Sequence, residues 1–142
     1  MRIEEHADIS AAPERVWEFI GDPDRFTALD AGFIVERRGR TRVGLGARYR
    51  AMLRVGPVPV GGNVEIVEYV PGRELAWTSL TGIDQRFRVR VRDVGDGRSR
   101  LTIRFGYSSP GALGFVADVV AFGQVRGVIR RLLGAARAAA EA

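Results

Sequence analysis

Residues 85–93 read QRFRVRVRD, with Arg86, Arg88, Arg90 and Arg92 at every second position and Phe87, Val89 and Val91 between them. Side chains of a strand leave opposite faces in turn, so this alternation predicts a strand with one apolar and one basic face. The run passes through GDGRS, residues 95–99, into SRLTIRFGYS, residues 99–108, which alternates again. Two alternating runs joined by Gly95-Asp96-Gly97 predict a β-hairpin.

Working back from this hairpin, four more short segments read as strands: GFIVERRGR (32–40), ARYRAMLRV (47–55), NVEIVEYV (63–70) and RELAWTSL (73–80). Each is alternating or β-branched and bounded by Gly, Pro, Asp or Asn. VPGRE (70–74) reads as a tight turn, and GPVPVGG (56–62) as a longer, proline-stiffened connection. At the start, RIEEHADIS (2–10) places Ile3, Glu5, Ala7 and Ile9 on one side of an extended segment. SAAPERVWEFI (10–20) opens a helix, with Ser10 or Ala11 ahead of Pro13 and Glu14 near the positive end of the helix dipole. Asp22 before Pro23 caps a second short helix. From Pro110 the period becomes helical, through Val125, Val128, Ile129, Leu132, Leu133 and Ala136. A helix from Pro110 to Glu141 would be about 48 Å long. Gly114, Gly123, Gly127 and Gly134 interrupt it, which we read as close packing or a bend. Consecutive strands on short turns imply an antiparallel sheet, and the terminal helix is the one large element able to cover its apolar face.

The chain of 142 residues fits one domain and needs no staples. Without cysteine it has no disulfide, thiolate metal site or cysteine nucleophile, consistent with a cytoplasmic location. One histidine, His6, cannot furnish an ordinary zinc site, and no metal or cofactor is expected. No signal peptide is read at the start, and the apolar run at 111–125 is too short and polar to span a membrane. All 22 basic residues are arginine, the net charge is +5 and the isoelectric point about 10.8. Arginine used throughout in place of lysine inflates that value, so charge alone does not point to a polyanion.

The opening ADISAAPERVWEFIGDPDRF (7–26), with its strand ending at Ile9, Ala-x-Pro-x-x-Val-Trp and Asp-Pro, resembles the START-like (SRPBCC) superfamily and its polyketide cyclase/dehydrase-like branch. EIVEYVPGRELAWTS (65–79) resembles that family's middle hairpin, and the layout matches over essentially the whole chain. Leu29 stands near a position where many relatives carry tryptophan. The resemblance implies an α+β helix-grip fold. About seven antiparallel strands would curve around a long C-terminal helix, with two short helices after the first strand. It also implies an apolar cavity between sheet and helix that takes a lipid- or polyketide-like molecule. An aromatase/cyclase-type activity on a polyketide-like chain is the alternative, since a few members catalyse cyclisation, dehydration or hydrolysis.

Strand parity then sorts the residues. Arg86, Arg88, Arg90 and Arg92 face water, with Arg48, Arg50, Arg54 and Arg104, balanced by acids such as Glu65 or Glu68 on neighbouring strands. A surface module contacting nucleic acid or anionic membrane would use this face. Nucleic acid is not expected, because exposed aromatics do not interleave with the arginines. The inward set is Ile3, Glu5, Ala7, Tyr49, Ala51, Leu53, Leu75, Trp77, Ser79, Gln85, Phe87, Val89, Leu101, Ile103, Phe105 and Tyr107, subject to any β-bulge. From it we take Glu5, Tyr49, Leu53, Trp77, Gln85, Phe87, Phe105 and Tyr107 as the candidate ligand-binding residues. Glu5 is the one catalytic candidate, since burial on an apolar face would raise its pKa; the alternative is an ion pair with an arginine. Asp118 marks either the solvent edge of the helix or a cavity position, and His6 faces outward. The protein is expected to be a monomer or homodimer.

Overall fold

Seven antiparallel strands form one sheet in the order β1-β7-β6-β5-β4-β3-β2. The strands are β1 (Arg2–Ile9), β2 (Phe33–Arg38), β3 (Arg48–Leu53), β4 (Val60–Val70), β5 (Glu74–Ser79), β6 (Asp84–Gly95) and β7 (Arg98–Ser108). Between β1 and β2 lie α1 (Pro13–Ile20), a 3-10 turn at Pro23–Arg25 and α2 (Phe26–Leu29); α3 (Gly114–Glu141) follows β7. The computed structural model describes residues 1–55, 59–108 and 114–142, with only the backbone of 114–121. Pro110 and the side chain of Asp118 therefore lie outside the described residues.

The β6–β7 hairpin turns through Asp96 and Gly97, whose φ angles of 56° and 69° define a type I′ turn matched to the strand twist. The β4–β5 turn has Pro71 and then Gly72 at φ 79°, closed by Arg73 N–H donating to the Val70 carbonyl at 2.9 Å, a type II arrangement. Asp22 accepts from the Asp24 N–H at 3.0 Å and caps the 3-10 turn. Ser10 does not cap α1. That role falls to Ala12, with Pro13 in the first turn, while the Ser10 N–H donates to Glu141 at 2.8 Å.

β4 begins at Val60, three residues before NVEIVEYV, and this extension bends the sheet. A Cβ at Gly61 would lie 2.0 Å from the Ala51 carbonyl oxygen, and one at Gly62 would lie 2.1 Å from that of Thr81. Only glycine permits such backbone approaches. A bulge at Val67 separates the pairs Ile66↔Trp77 and Glu68↔Ala76. It keeps Glu68 exposed and lets Tyr69 pack against the core, as an extra residue resets the alternation.

α3 runs beside β1 in the same direction, joined by Glu5 to Arg126 and by Ser10 to Glu141. Val125, Val128, Ile129, Leu132, Leu133 and Ala136 of α3 are buried against the sheet. The glycines of α3 have another setting than expected. A Cβ would meet nothing within 4 Å at Gly123 or Gly134, and at Gly127 only the Arg131 side chain at 3.3 Å. Close packing is not the reason for Gly123, Gly127 or Gly134, and Gly114 lies outside the residues whose side-chain surroundings are described.

Candidate functional site

The inner face follows the expected parity. Ile3, Tyr49, Ala51, Leu53, Leu75, Trp77, Gln85, Phe87, Val89, Leu101, Ile103, Phe105 and Tyr107 are buried, and Glu5, Ala7 and Ser79 are half-buried. The bend brings side chains from distant strands together. Phe33 on the edge strand β2 meets Trp77 at 5.9 Å, Phe87 at 5.7 Å and Phe105 at 6.4 Å between ring centroids. Trp77 stacks on Phe87 at 4.4 Å, and Phe26 of α2 reaches Phe33, Trp77 and Phe87. These rings fill the middle of the concavity by packing on one another.

Gln85 is buried within this group. It accepts from Trp77 Nε1 at 3.3 Å and donates from Nε2 to the Ala51 carbonyl at 3.2 Å. An amide on β6 thus braces β3, which lies beyond β5 and β4 in the hydrogen-bonding order. Tyr49 lies one residue pair beyond Ala51. Its hydroxyl is buried without a hydrogen-bond partner among the described residues. Burial, reinforced by the nearby Asp22 and Asp24 carboxylates, pushes the Tyr49 pKa up, so the group stays a neutral phenol. Leu53 and Tyr107 stand toward the opposite end of the concavity. Val60 pairs with Leu53 there, and the Ile83 N–H donates to the Gly61 carbonyl at 3.3 Å, so Val55, Val60 and Ile83 form a half-buried apolar group at that end.

Glu5 stands apart, on the edge strand beside α3. Its carboxylate accepts from Arg126 Nε at 2.7 Å and Arg130 Nε at 3.1 Å. The Arg126 hydrogen bond outweighs burial and holds its pKa below the ordinary 4.5, opposite to the expected rise. Glu5 is therefore a carboxylate clasped by two guanidiniums one helical turn apart. Neutralising it as Glu5→Gln should cost about 0.5–1 kcal/mol of stability at pH 7. A lowered folded pKa stabilises above the unfolded value and is lost as pH falls through the folded one. The gap between wild type and variant should therefore close below pH 4.5, as thermal midpoints at pH 7 and pH 3 would record. A constant gap would mean that the charge is not what matters.

The outer face carries the arginines, largely neutralised in place. Arg88 pairs with Glu68 at 2.6 Å and with Glu74; Arg90 pairs with Glu74 at 3.1 Å. Arg48 pairs with Glu65, Arg100 with Asp8 and Arg104 with Glu4. His6 is exposed on this face, as expected. No group of three or more His, Asp or Glu able to hold a metal occurs among the described residues, and no described helix is long and apolar enough to cross a membrane.

Sequence reasoning missed Phe26, Phe33, Arg126 and Arg130. Arg126 and Arg130 had a readable signal, two cations four residues apart beside an apolar helix stripe. For the two phenylalanines the local pattern carries none, because their partners lie on β5, β6 and β7.

A curved antiparallel sheet holding one long C-terminal helix is the helix-grip fold of START-like proteins. The family described as polyketide cyclase/dehydrase and lipid transport matches residues 1–141, and this chain belongs to it. Among solved structures it resembles a Thermus thermophilus protein, at 16% identity and a TM-score of 0.82 over 99% of this chain and 97% of that one. It also resembles the Zhui aromatase/cyclase of Streptomyces sp. R1128, at 17% identity and a TM-score of 0.76 over 99% and 93%. A START superfamily protein from Mycobacterium smegmatis matches at 11% identity and a TM-score of 0.70, over 94% of each chain. Identities this low speak for the fold alone. No curated protein sequence matches the chain.

Proposed function

We propose that this protein binds a hydrophobic small molecule, lipid- or polyketide-like, between the sheet and α3, at the end marked by Leu53, Ile83 and Tyr107. The observation that carries the reading is the half-buried apolar group Val55, Val60 and Ile83, set beside Leu53 and beyond the aromatic rings that fill the middle. Apolar side chains left half-covered around a concavity are what a hydrophobic ligand would complete. Family membership supports the same class of ligand. Binding is favoured over catalysis because the inward amide Gln85 and carboxylate Glu5 are engaged by the protein's own residues, which leaves the neutral Tyr49 phenol as a lone unpartnered inward group among the described residues. Acid-base chemistry would need such groups free and convergent.

The test uses Nile red, an uncharged dye whose emission rises in apolar surroundings. The wild type should bind one dye per chain, and Ile83→Arg should abolish binding while the far-ultraviolet circular dichroism stays unchanged. A folded wild type that leaves the dye's emission unaltered would refute the reading.

A further inference from the structure

The outer face of the sheet contains a groove of ≈ 510 Å³ across β1, β7, β6, β5 and β4. Its floor is made of small side chains, Gly106, Thr78 and Ala76, and exposed Val67 closes one end. Gly106 pairs with Arg2 on one side and with Arg86 on the other. These two arginines therefore flank a position without a side chain, on Cα positions about 10 Å apart, two strand spacings. Nothing in the backbone demands glycine there. Its φ is not positive, and a Cβ would meet only the Met1 carbonyl oxygen at 3.8 Å, an ordinary contact. The consequence of the glycine is open space between two guanidiniums.

The charges around this space are unevenly matched. One row further along the strands, Arg104 is paired with Glu4, and Arg88 with Glu68 and Glu74. Arg2 and Arg86 form no ion pair among the described residues, and the charge of Arg2 acts on Glu4 only at longer range than Arg104 does. A forked guanidinium offers paired donors that match a phosphate or carboxylate. From Gly106 to Thr78, past Arg86 on the strand between them, the groove runs two strands, about 10 Å. That distance suits a short apolar chain lying between Arg86 and Arg88.

We propose that this groove binds a small organic anion, a phosphate monoester or carboxylate with a short apolar body. Its head would lie over Gly106 between Arg2 and Arg86, and its body over Thr78 toward Val67. The volume is that of a single small molecule. Glu4, Asp8, Glu68 and Glu74 are interspersed among the remaining arginines, so a polyanion laid flat on this face would meet both signs of charge. The site lies on the face of the sheet opposite the proposed interior site, and neither depends on the other.

Calorimetric titration with hexyl phosphate tests it. Wild type should bind one equivalent, more tightly than inorganic phosphate. Arg86→Gln and Gly106→Leu should each weaken hexyl phosphate at least about tenfold, the scale of a lost charged hydrogen bond or a filled site. Arg92→Gln removes another unpaired outward arginine of β6, outside the groove, and should stay within about twofold of wild type. Nile red binding should be unaltered in all three variants, which separates failure here from failure of the interior reading. Three results would overturn the proposal: no hexyl phosphate binding by folded wild type, equal losses in Arg86→Gln and Arg92→Gln, or inorganic phosphate binding as tightly as hexyl phosphate. Displacement of hexyl phosphate by duplex DNA or phosphatidylglycerol vesicles at lower phosphate concentration would also overturn it, by making the face a polyanion or membrane surface.

Discussion

Phe33→Ala lowers the free energy of unfolding by about 3–5 kcal/mol, the usual cost of emptying a buried phenylalanine site. The upper part of that range is expected because of what surrounds the ring. Phe33 touches Phe26, Trp77, Phe87 and Phe105, rings from α2, β5, β6 and β7. These rings are themselves anchored in regular elements, so collapse into the space is restricted, and the cavity term adds to the transfer term. The thermal midpoint should fall by about 10 °C, with the urea m-value unchanged. A loss under about 1 kcal/mol would mean that the concavity relaxes freely and is not filled by interlocked rings. The variant also enlarges the interior. If the proposed ligand end communicates with it, Nile red should bind Phe33→Ala more tightly than wild type.

Alanine at two glycines should act with opposite sign. At Gly61 the new Cβ would lie 2.0 Å from the Ala51 carbonyl oxygen and 2.9 Å from the Met52 Cα, both backbone atoms of the neighbouring strand. The φ of 155° adds strain for a residue with a side chain. Gly61→Ala should therefore destabilise by about 3 kcal/mol or more. At Gly123, inside α3, a Cβ would meet nothing within 4 Å. Gly123→Ala should stabilise by about 0.5–1 kcal/mol, chiefly by restricting the unfolded chain. Urea denaturation of the two variants in parallel measures both. If they changed stability in the same direction, Gly61 would not be the hinge that its contacts describe.

That contrast marks the boundary of what was legible in the sequence. Period-two alternation is a local property, and it placed Phe87, Val89, Leu101, Ile103 and Phe105 inside and the arginines of β6 outside. The hairpin at Asp96-Gly97 and the turn at Pro71-Gly72 are equally local, since both follow from which residues tolerate positive φ. The bend at Gly61 and Gly62 is not local. It arises from backbone approaches to Ala51 and Thr81, which a strand pattern does not encode, and GPVPVGG accordingly read as a connection. With the bend missed, Phe33 could not be seen to reach Phe105. Nor could Gln85 be recognised as a brace to β3, and it stood as a ligand contact. Glu5 shows the same limit. Its place on the inward side of β1 was readable. Its partners come from a helix over a hundred residues later, and they decide whether burial or charge sets its pKa. The helical glycines erred the other way, since a composition anomaly invited a packing explanation where the space around Gly123 and Gly134 is open.

The strand order has a consequence for biosynthesis. β1 is made first, yet its one partner in the sheet is β7, the last strand made. Emerging from the ribosome, β1 has nothing to pair with while the β2–β6 meander assembles. α1 and α2 can cover part of that meander's inner face, through Phe26 on Phe33, Trp77 and Phe87, but β1 and β7 lack their cover until α3 has been translated. Contacts this distant in sequence form slowly, because the loop between them must close before they contribute. For that interval the nascent chain presents apolar strand faces and an unpaired edge at β6, the features chaperones recognise. Synthesis at a uniform rate would therefore leave this protein dependent on protection until its final helix arrives.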